Sequence, residues 1–240
     1  LNHDGVVNVV DVQLVAARFN LTCAEVTPTP TRTPTATHTP PAGAPRPWPD
    51  SSQRIQVFND QLASWMTDDQ LHFAATHYAG TQKMTRSQAD ALRAVNPVFL
   101  ILHYRLGHGL GYRAVEPPCQ PSGDWLQIID GDWVQEWPGE AALDEPWFYH
   151  WPEGGAARVL NCDWGWYLMD VSQAGYRSWW ISQVLGQLAA NDDDGVFADS
   201  LSVPNYLGYD RYDPALPAVD AAFEAAWTQR IEDWIAYVQS

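Results

Sequence analysis

Pro97-Val98-Phe99-Leu100-Ile101-Leu102-His103 is a near-continuous apolar run. Nothing in it alternates, which is the pattern of a β-strand covered on both faces rather than one with a wet side. Outward from it in both directions, short β-rich runs alternate with helix-like stretches, and this predicts an α/β domain of βα units around a parallel sheet. Upstream, Arg54–Phe58 reads as a first strand ending in Asn59-Asp60, and Thr67-Asp68-Asp69-Gln70 as a helix start with its cap. A second strand is expected over Phe73–Tyr78, followed by Gly80–Lys83 and a helix over Ser87–Val95. Downstream, Arg105–Gly111 is glycine-rich and a long excursion runs to about Ala157. The next unit begins near Trp166–Asp170 and feeds a helix in which Tyr176, Trp180, Val184 and Leu188 recur every four residues. Such a stripe faces a core. An acidic turn, Asn191–Gly195, leads to the strand Val196–Asp199, and a last helix carries Val219, Phe223, Trp227, Ile231, Trp234 and Val238 on one face.

That makes five βα units. A closed (β/α)₈ barrel needs eight and about 250 residues, whereas residues 48–240 supply fewer than 200. The expectation is therefore a partial (β/α)₈ TIM-type barrel, C-terminally truncated, in a fragment of a longer modular protein; a complete smaller α/β sheet is the alternative.

The 240 residues are 46% hydrophobic, enough to bury a real core, and carry 29 acidic against 13 basic side chains, of which Lys83 is the only lysine. A formal charge of −16 repels phosphate backbones and anionic lipid surfaces, so nucleic-acid and membrane partners are not expected. No stretch reaches the roughly 18 apolar residues of a membrane helix, and no signal peptide is present in the sequence given.

At the N-terminus, Asn2, Asp4, the Val6 carbonyl, Asn8 and Asp11 fall at positions three, five, seven, nine and twelve of a calcium loop in which Gly5 makes the sharp turn. Val12–Phe19 would be the exiting helix. LNHDGVVNVVDVQLVAARFN resembles a dockerin repeat, an EF-hand-like half in residues 1–22 whose first ligand position would precede Leu1. The resemblance implies a structural Ca2+ and a cohesin-type partner; no cofactor is expected for catalysis. Residues 23–47 form a Thr/Pro-rich linker, TPTPTRTPTATHTPP from Thr27 to Pro41, extended because proline fixes φ and no apolar face exists to bury. Tethers of this kind suit a secreted, extracellular chain. There, Cys119 and Cys162 could join and brace the long loop between them, or remain two free thiols.

Catalytic groups in such barrels stand at the C-terminal ends of strands. Asp60, Asp170 and Asp199 have that address, and glycoside hydrolysis needs two carboxyl groups, one protonated and one ionised. His103 and Arg105 end the third strand and Lys83 lies just past the second, placed to bind hydroxyls or tune a carboxylate. Met169-Asp170-Val-Ser-Gln-Ala-Gly-Tyr176-Arg177-Ser-Trp-Trp180, with Asp194-Gly195-Val-Phe-Ala-Asp199-Ser200, resembles the TIM-barrel glycoside hydrolases, including the endo-α-1,4-polygalactosaminidase-like group. The resemblance implies a nucleophile at Asp199 and a second site acid at Asp170, with a further family acid on a strand beyond Ser240.

Nine of the 13 tryptophans fall between residues 125 and 180. Trp179 and Trp180 sit in the helix and are expected in the core; Trp164 and Trp166 lie in the polar loop, where exposed rings need a partner. Sugar rings, with their apolar C–H faces, are natural ones, and a mini-core that folds the loop is the other reading. No phosphate loop, HExxH or GxSxG occurs, so phosphoryl transfer, metalloprotease and α/β-hydrolase chemistry have no residues to rest on. The sequence therefore points to a glycoside hydrolase acting on a polysaccharide through Asp199 and Asp170, with Asp60, Lys83, His103, Arg105, Trp164 and Trp166 binding substrate. The alternative is a non-catalytic polysaccharide-binding module.

Overall fold

The computed structural model describes residues 46–239 apart from 51, 53, 54, 64, 130, 131, 136–138 and 153. All belong to one compact unit, Thr39–Ser240. The calcium-loop residues Asn2, Asp4, Val6, Asn8 and Asp11, the linker through residue 45 and Trp137 lie outside the described residues. In chain order the elements are α1 (Asp68–His77), β1 (Gly80–Gln82), α2 (Arg86–Val95), β2 (Leu100–Leu106), β3 (Gly109–Leu110), β4 (Tyr112–Glu116), β5 (Gln120–Ile129), β6 (Asp132–Gln135), β7 (Leu160–Asn161), β8 (Tyr167–Leu168), α3 (Ala174–Asn191), β9 (Gly195–Asp199), β10 (Tyr212–Asp213) and α4 (Ala221–Val238).

The apolar run becomes β2, all seven of its residues buried, at the centre of a parallel sheet. Its Leu100 opposes Gly80 of β1, and on the other side Leu102 opposes Gly195 and Leu106 opposes Asp199 of β9. The expected first strand continues this sheet beyond β1: Phe58 bridges Gly80 in parallel, and the Ala79 N–H donates to Val57 O at 2.7 Å. Gly80 is required here, since a Cβ would stand 2.5 Å from Leu100 O. Among the described residues the sheet is open and no closed barrel forms.

Thr67 caps α1 through a reciprocal capping box: the Gln70 N–H donates to Thr67 Oγ1 at 3.3 Å and the Thr67 N–H to Gln70 Oε1 at 3.0 Å. This signal overrides the strand expected over Phe73–Tyr78, which is helical to His77. Ala74 and Ala75 are its buried residues, and the second strand is β1 instead. Thr67→Ala removes the side-chain half of the box at an exposed site, leaving the residue-67 N–H to Gln70, and is expected to cost about 1 kcal/mol, read as a lower urea midpoint at unchanged slope.

A second correction concerns Trp166–Asp170. Its core, β8, is antiparallel to β7 and β3 and takes no part in the parallel sheet. The cause is local: the Asn161 side chain accepts from the Asp163 and Trp164 N–H groups, both at 3.0 Å, and Gly165 adopts φ +75°, so β7 and β8 close as a tight hairpin. Such a turn can join only antiparallel strands. The four-stranded sheet runs β10-β7-β8-β3, and the long excursion is an antiparallel meander, β4-β5-β6. Cys119, at the β4–β5 turn, is disulfide-bonded to Cys162 at the β7–β8 turn, which settles the pairing that the sequence left open.

Tyr176, Trp180 and Val184 are the buried stripe of α3. Two of them also satisfy the chain as it leaves the sheet: the Trp180 indole N–H donates to Leu106 O and Tyr176 Oη to Gly107 O, each at 2.8 Å. The acidic turn after α3 is a clamp. Asp194 accepts from Arg93 Nη2 and the Ile101 N–H, both at 2.8 Å, and from Arg46 at 2.9 Å, tying α2 to the start of β9. Helix α4 is capped by Asp220 and buries only Trp227 and Trp234 of its expected face, with Val238 43% exposed.

Candidate active site

A cavity of about 680 Å³ opens at the C-terminal ends of the parallel strands. Each strand contributes to its wall: Gln61 after the 57–59 segment, Lys83 after β1, Tyr104 and Leu106 from β2, and Asp199 from β9. The antiparallel sheet and its loops close the other side with Asn161, Asp163, Trp164, Trp166, Asp210 and Tyr212.

Asp199 is held from two directions. Tyr104 Oη donates to Oδ2 at 2.6 Å and the Ser200 N–H to Oδ1 at 2.7 Å. Lys83 Nζ stands 4.3 Å from the Tyr104 ring centre and donates to Gln61 Oε1 at 3.3 Å. Lys83, Ser200 and Asn205, all on the cavity wall, have positive φ values of 60°, 54° and 55°. For residues with a Cβ this is a strained region, and such strain gathers where geometry serves function.

Of the sequence-derived candidates, Asp199, Lys83, Trp164 and Trp166 meet at this cavity. Trp164 is 66% exposed, whereas Trp166 is buried. Trp125 is buried as well, while Trp147 and Trp151 pack on the core, so most of the loop tryptophans form a mini-core and Trp164 alone of these offers an open ring. The remaining candidates lie elsewhere. Asp60 accepts from Gln82 Nε2. Asp170 accepts from the Ser172 N–H at 3.0 Å, Ser172 Oγ at 2.6 Å and Gln173 Nε2 at 3.0 Å, and pairs with Arg230 at 3.3 Å. His103 and Arg105 alternate with Tyr104 and Leu106 along β2 and so fall on the opposite face. There His103 Nδ1 is 4.0 Å from Asp193 Oδ2 and the Arg105 guanidinium is 5.3 Å from the Trp179 ring.

Sequence reasoning missed Tyr104, His108, Asp163, Asp210 and Tyr212. Burial pushes His108 down to about 4, against a hydrogen bond to the Ser202 backbone and the charge of Asp199, which act in the other direction. Its ring leans on Trp166 at 5.6 Å, and Nδ1 has no hydrogen-bond partner among the described residues. Asp163 is held below the usual carboxylate range by Arg211, whose backbone N–H donates at 3.0 Å and whose Nε donates at 2.7 Å. Asp210 is raised, first by burial and then by the charge of Asp163. Burial and Asp210 together raise the Tyr212 phenol. Among the described residues no three His, Cys, Asp or Glu side chains are grouped to hold a metal ion.

Fold and site together define an α/β domain with a carboxylate-lined cavity at the C-terminal ends of its parallel strands, where such sheets hold their ligands. The chain belongs to hypothetical glycosyl hydrolase family 15, whose family model matches residues 93–240. Those residues form a glycoside hydrolase-like domain that includes β2, β9 and the cavity lining apart from Gln61 and Lys83. No curated protein matches the chain.

Proposed function

We propose that this is a secreted glycoside hydrolase acting on a polysaccharide by paired-carboxylate catalysis, with Asp199 as nucleophile or base. The observation that carries the reading is Asp199 itself: a carboxylate at the end of β9, fixed by Tyr104 and Ser200 in the wall of an open cavity, within a glycosyl hydrolase family match. Fixed in this way, it gives its electron pair either to the anomeric carbon or to a proton of the water that attacks it. Trp164 supports a sugar substrate, since an exposed ring beside a polar cavity can stack on the C–H face of a pyranose. The Cys119–Cys162 disulfide supports an oxidising, extracellular setting. In that setting the N-terminal loop would take Ca2+ and dock a cohesin-type partner.

The endo-α-1,4-polygalactosaminidase-like group supplies the first polymers to try. Incubation with a polysaccharide panel that includes galactosaminogalactan-type polymers should release reducing ends in proportion to time and protein. Binding without release from any polymer would favour the second reading, a binding module built on Trp164.

A further inference from the structure

A glycoside hydrolase needs a proton donor facing its nucleophile or base, and among the described residues four carboxyl groups are weighed for that role. Asp60 and Asp170 do not line the cavity; Gln82 holds one oxygen of Asp60, and Ser172, Gln173 and Arg230 engage both oxygens of Asp170. Asp163 lines the cavity, yet Arg211 occupies both its oxygens and holds it ionised. An ionised group has no proton to give. Asp210 also lines the cavity, and among the described residues no hydrogen bond or ion pair reaches its carboxyl group.

We propose that Asp210 is the general acid that works with Asp199 across this cavity. The inference rests on the hydrolase reading above and deepens it. The two groups come from different sheets. Asp199 ends β9, and its carbonyl accepts from the Gly107 N–H at 2.5 Å. Asp210 stands two residues before the start of β10, and its place is set by that strand: Tyr212 pairs with Asn161, the Cys162 N–H donates to Arg211 O at 2.7 Å, and the Asp210 N–H donates to Asn205 Oδ1 at 3.2 Å. Both carboxyl groups are thus carried by backbone that is hydrogen-bonded in place.

Their surroundings divide the labour. Asp199 accepts hydrogen bonds from two donors, whereas Asp210 meets burial and the fixed negative charge of Asp163, which favour its protonated form. The other charged or titratable groups around Asp210 are Arg211, which pairs with Asp163, Tyr209, the Tyr212 phenol and Asp213 on β10; Asp199, Lys83 and His108 belong to the remaining walls. His108 gives an independent sign of a ligand: a side chain only 2% exposed, on the cavity wall, whose Nδ1 has no hydrogen-bond partner among the described residues. A neutral ring that donates to the Ser202 backbone leaves Nδ1 as an acceptor, which suits a substrate hydroxyl.

In the step itself the Asp210 proton passes to the glycosidic oxygen as the C1–O bond breaks and the leaving sugar departs as an alcohol. Asp199 bonds to C1, and water later displaces it while giving a proton to Asp210; or Asp199 takes a proton from water as the hydroxide oxygen bonds to C1. Either course consumes one water; the first returns both carboxyl groups to their starting charge directly, the second by proton exchange with solvent.

The test uses Asp210→Asn and Asp163→Asn in the full chain, assayed on the responsive polymer and on the 2,4-dinitrophenyl glycoside of the same sugar, whose leaving group needs no proton. Asp210→Asn should lower kcat/KM on the polymer about 10²- to 10⁴-fold, while kcat/KM on the dinitrophenyl glycoside, which reports only the step that expels the leaving group, stays within about tenfold of wild type. The wild-type alkaline limb of kcat/KM should vanish in Asp210→Asn. In Asp163→Asn it should move to lower pH, because the negative charge that disfavours Asp210 ionisation is gone and Arg211 is released. A carboxyl ¹³C titration should show the same downward shift of Asp210 in Asp163→Asn, without reference to activity. Polymer turnover within a few-fold of wild type in Asp210→Asn, beside an inactive Asp199→Asn, overturns the assignment of Asp210 and leaves the hydrolase reading standing. Equal loss of kcat/KM on both substrates also overturns it. No cleavage of any substrate by the wild type overturns both.

Discussion

Asp199→Asn is expected to abolish hydrolysis, with turnover lower by at least about 10³-fold and glycan affinity within a few-fold of wild type. The size follows from the role: a thousandfold corresponds to about 4 kcal/mol of transition-state stabilisation, the scale lost when a nucleophile or base disappears. The specificity of the loss follows from the geometry. Asparagine has the shape of aspartate, its Oδ1 can accept from the Ser200 N–H, and its amide can donate to Tyr104 Oη, which is able to accept. Only the negative charge and its basic electron pair are removed. Initial rates of reducing-end release and a glycan-binding isotherm on the same preparation check both halves. Turnover equal to wild type would remove Asp199 from the chemistry, and lost affinity with no turnover to lose would make it a binding residue in a lectin-like cavity.

The parallel sheet was legible wherever one residue pattern had one physical meaning. Leu100–Leu106 is buried along its whole length, so its apolar run could not be an amphipathic element. The stripe Tyr176, Trp180, Val184 recurs every four residues, close to the helical repeat, and faces the core. Phe73–Tyr78 was ambiguous, because a short apolar run reads as strand or helix alike. The capping box six residues earlier decides it, through a reciprocal pair of hydrogen bonds that outweighs the aromatic and β-branched residues in the run. Trp166–Asp170 misleads for a different reason: its β-forming residues do make a strand, but Asn161 and Gly165 fold it back on β7. Strand propensity carries no direction, and direction was set by the turn.

The site was legible on the parallel sheet and illegible across from it. Asp199 and Lys83 follow strand ends and lie where strand ends gather. His103 and Arg105 were one residue out of phase with Tyr104, and in a strand one residue changes the face. Asp163 and Asp210 reach the cavity through a hairpin and through the pairing of β10 with β7, a contact between residues some fifty positions apart. No local pattern announces such a pairing. The same distance explains why Asp170 looked catalytic: its Met-Asp-Val-Ser context is that of a strand end, while the structure spends its oxygens on Ser172, Gln173 and Arg230.

Acidification between pH 6.5 and 4 is expected to cost the fold about 3 kcal/mol through His108 alone. An unfolded histidine takes up its proton near 6.5, whereas His108, buried between Trp166 and the edge of Trp227, does so only near 4. Between these values the unfolded chain binds more protons than the folded one, so stability is full above pH 6.5 and falls by about 1.4 kcal/mol per pH unit as the pH drops towards 4. Asp210 acts with the opposite sign, since its raised pKa lets the folded state hold a proton that the unfolded state has released. Glu145, held down to about 2 by Arg158, withdraws stability only below its ordinary value near 4.5, so the upper part of the window belongs to His108. His108→Gln isolates the effect, because glutamine keeps an N–H for the Ser202 backbone and does not titrate in this range. Urea unfolding of both proteins at half-unit steps of pH should give a stability difference that is constant above pH 6.5 and moves in favour of the variant by about 3 kcal/mol at pH 4. Parallel curves across the whole window would show that His108 is not held neutral, and that the cavity wall it forms admits enough water to solvate its charge.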